Sequence, residues 1–101
     1  MSDPSLPRAT REMVERRRDL APVAEDAFRA FSKAVFAEGA LDKRTKQLIA
    51  VAVAHVTQCP WCIEGPVKAA RSEGASPQQI MAAIWIAAEM RAGASYPHAL
   101  K

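Results

Sequence analysis

Glycine and proline cut this chain into lengths that suit helices, and that punctuation limits its possible folds more than any other feature. The main breaks fall at Pro22, Gly39, Pro60, Gly74, Pro77 and Gly93. Several carry the chemistry of a helix end. Pro22 and Pro60 fit a first helical turn, where the missing N–H has no partner to lose. Asp42 stands where an N-cap belongs, with a carboxylate to accept an orphan backbone N–H. Ser76-Pro77-Gln78-Gln79 is a capping box with proline at the first helical position. The spacing predicts helices over 8–20, 22 to the glycine at 39, 43–57, 60–73 and 77–92, the last ended by Gly93. A last short turn over 94–101 is limited by Pro97. No strand pattern competes, because the alternation at Val51 and Val53 is brief and lies in an alanine-rich segment. The expected fold is all-α, with five to six helices, in a single domain over 8–101 behind a flexible tail at 1–7.

Apolar periodicity adds a second expectation. Val23, Ala27, Phe28, Phe31, Val35 and Phe36 form a stripe at helical spacing. Residues 48–54 and 80–88 are apolar nearly all round, and such a helix must be covered on every side. A chain of 101 residues has few elements to do that. A homo-oligomer with these helices at its centre is therefore expected, and Trp85 and Met81 are read as part of a core or interface stripe. Alanine is the commonest residue, and small side chains suit close helix packing.

Charge excludes some function classes. The formal net charge is +3, with basic and acidic residues mixed along the chain. The densest run, Arg16-Arg17-Arg18, lies between Glu15 and Asp19 and lacks base-stacking aromatics. It reads as a solvated helix face, not a nucleic-acid patch. The N-terminus is polar, with Pro4 and Pro7, and lacks the pattern of a signal peptide. Apolar runs such as 48–54 fall far short of the ~20 residues a membrane span needs. The expected compartment is the cytoplasm, with neither nucleic acid nor membrane as partner. Thiols there are kept reduced, so a close cysteine pair points to redox chemistry or metal before a structural staple.

Both cysteines fall in Gln58-Cys-Pro-Trp-Cys-Ile-Glu-Gly-Pro66. If Cys59 caps the fourth helix and Pro60 opens it, both sulfurs lie near a helix N-terminus. Unpaired N–H groups and the positive end of the helix dipole favour a thiolate there. The partner sulfur is near enough to resolve a mixed disulfide or a sulfenic acid. Structural zinc wants four ligands, and this chain offers one cysteine pair plus His55 and His98, so no metal is expected. Two cysteines buried by chance is the plainer alternative. A thioredoxin fold is excluded, because its motif follows a strand.

The run from Lys46 through Gly65, with Ala69-Ala-Arg-Ser-Glu-Gly-Ala-Ser and Ala87-Ala-Glu-Met-Arg-Ala-Gly-Ala downstream, resembles the alkylhydroperoxidase D (AhpD-like) branch of the carboxymuconolactone decarboxylase family. The resemblance spans roughly 28–94. It implies an all-helical AhpD-like bundle assembled as a homotrimer or homohexamer, acting on a peroxide or disulfide substrate with a dithiol electron donor and no bound cofactor. It maps the more reactive thiol onto Cys62 and the resolving thiol onto Cys59. It also implies a proton relay from a glutamate twelve residues before the first cysteine and a histidine four after the second. This chain has Gln47 and Pro66 at those positions. Glutamine keeps the reach of glutamate without a titratable group, and proline carries no base. The expected activity is therefore a weakened thiol–disulfide oxidoreductase, with a silent oligomeric module of the same family as the alternative. Decarboxylation of a lactone acid has only the family name behind it.

Pro66 also interrupts its helix on paper. It removes the donor to the Cys62 carbonyl and crowds that carbonyl, at ~3 kcal/mol in an ordinary helix interior. A kink at 65–66, or a short turn ending near Glu64 with a restart at Pro66, is expected. Gln47, Val51 and His55 share one face of the third helix, so His55 is a candidate replacement for the lost base. Its competing reading is a packed histidine with one satisfied hydrogen bond. Glu64 and His98 read as surface residues, and Trp61 as a packing residue over the motif.

Overall fold

The computed structural model describes residues 10–95, which form five helices and, among the described residues, no strand. The helices are α1 (Arg11–Leu20), α2 (Pro22–Phe36), α3 (Lys43–Thr57), α4 (Pro60–Ser72) and α5 (Pro77–Ala94). The tail expected at 1–7 and the last turn beyond residue 95 lie outside the described residues. The first helix begins at Arg11 because Thr10 caps it, its hydroxyl accepting the Met13 N–H at 3.1 Å.

Ala21 separates α1 from α2, and the arginine run clamps the two together. Arg17 donates through Nε and Nη2 to Glu25 Oε1 at 3.0 and 2.8 Å, and Arg18 Nη2 meets Asp26 at 3.1 Å. The run is thus more than a solvated face, since two of its three members join helices. The Arg17 hydrogen bond and charge, helped by Arg29, hold the Glu25 carboxyl below its usual range against an opposing desolvation.

α2 ends at Phe36, three residues before Gly39, because a side chain from α3 takes its terminal carbonyls. Lys46 Nζ donates to Val35 O at 2.8 Å and Ala37 O at 2.6 Å. These are the groups a helix C-terminus leaves unsatisfied. Asp42 then caps α3 as the sequence predicts, accepting the Thr45 N–H at 2.7 Å. That bond lowers the Asp42 pKa. A lowered folded-state pKa contributes stability above the unfolded value and loses it as pH falls through the folded one. Asp42→Asn keeps a capping oxygen without a titrating group. Its melting temperature is expected to fall less steeply than the wild type's below about pH 4, measured by circular dichroism.

Gly74 closes α4 with φ at 90°, a conformation that favours glycine, and its neighbour Ala75 donates back to Ala70 O at 2.9 Å. The capping box opens α5 as expected. Gln79 N–H donates to Ser76 Oγ at 3.1 Å and Ser76 N–H to Gln79 Oε1 at 2.9 Å. Gly93 does not end α5, which continues to Ala94. A glycine there costs ~1 kcal/mol relative to alanine and is tolerated so near a helix end.

α3 is the central element and packs against both α4 and α5, while α1 packs on α2. The core cluster is Val51, Ala70, Ala75, Ile80 and Ala83, with Leu48, Ala52, Val67 and Ile84 against it. It is small and rich in alanine, so the helices approach closely but bury little. The apolar stripe of α2 is not covered: Phe28 and Phe31 are 65% and 63% exposed. Nor are the all-round apolar helices covered on every side. Ile49 and Val53 of α3 and Met81, Trp85, Ile86 and Met90 of α5 are exposed, Trp85 at 67%. Trp85 and Met81 are therefore not core residues of the single chain. No described helix is long and apolar enough to cross a membrane.

Candidate redox site

The site begins with the way α3 stops. Gln58 takes the left-handed conformation, φ 57° and ψ 38°, and no other non-glycine residue among those described has positive φ. The Gln58 N–H, the Cys59 N–H at 3.4 Å and the Thr57 hydroxyl at 3.2 Å all converge on the Ala54 carbonyl. This closure resembles a Schellman motif, normally built on glycine. It reverses the chain within two residues, so α4 starts beside the end of α3.

Cys59 is the N-cap of α4. Its backbone is extended, and its Sγ accepts the Cys62 N–H at 3.3 Å. Pro60 occupies the first turn, as expected. Cys59 and Cys62 are joined as a disulfide, with Cα atoms 5.1 Å apart. Cys59 is half-buried and Cys62 exposed, so an external reagent meets Cys62 first. On reduction, the Cys62 N–H and the dipole of α4 both favour negative charge on the Cys59 sulfur.

Downstream, the expected restart at Pro66 does not occur. α4 is one helix from Pro60 to Ser72, with Pro66 inside it. Val67 packs against the core and Ala70 is fully buried in it. Tertiary packing of this kind outweighs a local propensity penalty. The helical bond from residue 66 to the Cys62 carbonyl is still missing, since proline has no N–H.

The remaining candidates divide. His55 is half-buried, and its Nδ1 lies 2.7 Å from Val51 O. A carbonyl only accepts, so Nδ1 donates, and in a neutral ring Nε2 is then the acceptor. Gln47 is half-buried in the second turn of α3, about 15 Å of helix axis from Thr57. Among the described residues no hydrogen bond joins Gln47 or His55 to either cysteine. Glu64 is half-buried, not fully on the surface, and pairs with Lys68 at 3.8 Å. Trp61 is half exposed between the cysteines. His98 lies outside the described residues, among which no group of three or more metal-binding side chains gathers. Sequence reasoning missed Arg91. Its Nη1 donates to Val56 O at 3.0 Å, across 35 residues, at the end of α3. A lone arginine near the end of a helix gives no sign of such a reach.

This helical frame, with a cysteine pair opening α4, can be set beside known proteins. The model of the carboxymuconolactone decarboxylase family matches residues 22–101. The chain belongs to that family. A family crystal structure from Legionella pneumophila, in its apo form, superimposes with a TM-score of 0.75 at 30% identity, over 78% of this chain and 70% of that one. A structure from Methanobacterium thermoautotrophicum gives 0.74 at 31% identity, over 80% of this chain and 91% of that one. In sequence, "Uncharacterized protein 4 in cox locus" of Paracoccus denitrificans is 68% identical over the whole chain and 90% of its own length. The AhpD-like assignment is consistent with the family match, with the Legionella pneumophila neighbour and with the all-α fold.

Proposed function

We propose that this protein is a thiol–disulfide oxidoreductase of the alkylhydroperoxidase type, slowed by the loss of its proton relay. The observation that carries the reading is the disulfide at the N-terminus of α4, with Cys59 accepting a backbone N–H and Cys62 exposed. With a hydroperoxide, the Cys62 thiolate attacks the terminal oxygen and the O–O bond breaks. The alkoxide leaves and takes a proton from solvent, and Cys62 becomes a sulfenic acid. The Cys59 thiolate then attacks the Cys62 sulfur, hydroxide leaves as water after gaining a proton, and the disulfide forms. The pair has lost two electrons and the peroxide has gained them.

A dithiol donor resets the pair. One donor thiolate attacks the exposed Cys62 sulfur, and Cys59 departs as thiolate. The second donor thiol then displaces Cys62. A stabilised leaving thiolate departs faster, which suits the half-buried, N–H-bonded Cys59. No bound cofactor enters this cycle. Its setting is a reducing compartment such as the cytoplasm, where a dithiol donor is maintained.

The working unit is a homo-oligomer, trimeric or hexameric as the resemblance implies. The exposed apolar side chains of α2, α3 and α5 support it, among them Phe28, Phe31, Ile49, Trp85 and Ile86, since large exposed apolar patches mark interaction surfaces. A second reading, a silent oligomeric module, is favoured by Pro66, which puts no base in α4. Consumption of an organic hydroperoxide in the presence of dithiothreitol separates the two. Slow, cysteine-dependent turnover is expected, and a rate equal to the dithiothreitol blank leaves the silent module. Light scattering is expected to give a multiple of the 11.0 kDa chain mass, and a monomer would remove the oligomer.

A further inference from the structure

The two helices that meet at the cysteine pair oppose each other electrostatically. α4 presents its positive N-terminal end to Cys59, but α3 ends two residues earlier and presents its negative end. Left alone, the second effect offsets much of the first. Backbone closure does not cure this, because the Gln58 and Cys59 N–H groups and the Thr57 hydroxyl all go to Ala54 O. The Val56 carbonyl, three residues before Cys59, is met from α5 by Arg91 Nη1 at 3.0 Å.

We propose that Arg91 is a positioning residue for the cysteine pair: it pins the α3–α4 turn to α5 and places a fixed positive charge at the negative end of α3. The inference rests on the redox reading above. A guanidinium has five donors and stays charged at all working pH values, so it satisfies the carbonyl and offsets the dipole at once. It thereby favours the Cys59 thiolate both as resolving nucleophile and as leaving group. The ionisable groups nearest the turn in sequence on these elements are His55 on α3 and Glu64 and Lys68 on α4, and Glu89 is Arg91's neighbour on α5. Glu64 is paired with Lys68, and His55 is bonded to Val51 O of its own helix. Arg91 supplies the charge-assisted bond to the last turn of α3.

The test compares Arg91→Gln and Arg91→Lys with wild type in the full chain. The rate of iodoacetamide alkylation of each reduced cysteine is followed against pH by mass spectrometry. Gln keeps a donor without charge, and Lys keeps the charge. The Cys59 profile is expected to move up by about half a pH unit in the Gln variant and to stay at the wild-type position in the Lys variant. The equilibrium with dithiothreitol is expected to shift toward disulfide in the Gln variant alone. A depressed wild-type profile left unmoved in Arg91→Gln overturns this inference and leaves the redox reading standing. Equal upward shifts in both variants make the role one of shape and overturn the charge argument. A wild-type Cys59 that titrates as a free thiol overturns this inference, and overturns the redox reading with it when Cys62 does the same. Should the Gln variant not fold, the Lys variant still decides, because its profile must match the wild type's.

Discussion

Cys62→Ser is expected to abolish hydroperoxide turnover, while Cys59→Ser is expected to leave a single turnover that then stalls. The asymmetry follows from position. Cys62 is exposed on the first turn of α4, and Cys59 is half-buried as its N-cap. Without Cys62 no sulfur is presented to the peroxide. Without Cys59 the first attack proceeds, and the resulting sulfenic acid has no neighbouring thiol to condense with. Intact mass after one equivalent of peroxide reads the difference directly. The Cys59→Ser protein should gain one oxygen, trappable by a sulfenic-acid reagent, and the Cys62→Ser protein should gain none. Equal oxidation of both variants would mean that either sulfur can lead and that exposure does not order them.

The second large effect concerns the missing relay. Gln47→Glu with Pro66→His is expected to raise the peroxidase or disulfide-reductase rate about 10²-fold, the lower end of what a positioned general base supplies. Pro66→His also restores an N–H that can donate to the Cys62 carbonyl. That change alone should stabilise α4 by up to ~3 kcal/mol. Pro66→Ala separates the two contributions. It restores the same backbone bond and offers no base, so its melting temperature should rise while its rate stays at the wild-type level. A double variant that is more stable but no faster would mean that positions 47 and 66 do not carry a proton here, whatever their place in the resemblance. The attacking Cys62 thiolate of the present chain rests on its place in the first turn of α4, worth ~0.3–1 kcal/mol in exposed settings, because the N–H donor serves Cys59. That is less than one pKa unit at ~1.4 kcal/mol per unit, and it is why the wild type is expected to be slow.

The parts of the fold that could be read from the sequence are those decided within a few residues. The Asp42 cap, the Ser76–Gln79 box and the Cys59–Pro60 opening each depend on a side chain and an N–H three positions away. The sequence carries those signals whole. Features set by distant groups did not show. α2 ends at Phe36 because Lys46, from the next helix, takes its carbonyls. α4 crosses Pro66 because Val67 and Ala70 are held by the core. Arg91 reaches Val56 only because α5 lies along α3. The apolar stripe of α2 was legible as a stripe, but periodicity does not say what covers it, and the single chain leaves Phe28 and Phe31 exposed. The cysteine pair was legible as a helix-terminal motif. The opposition of two helix ends around it was not, because the left-handed turn at Gln58 is built without the glycine that usually announces it.

The proposed chemistry requires the start of α4 to make a working thiol pair of Cys59 and Cys62. Alkylation of the reduced wild-type protein against pH, with oxidation by one equivalent of diamide in parallel, tests it most directly. A cysteine is expected to titrate below the ~8.5 of a free thiol, and an intramolecular disulfide to form with diamide and open again with dithiothreitol. Two thiols that both titrate near ~8.5, in a protein that forms no bond between residues 59 and 62, would contradict it.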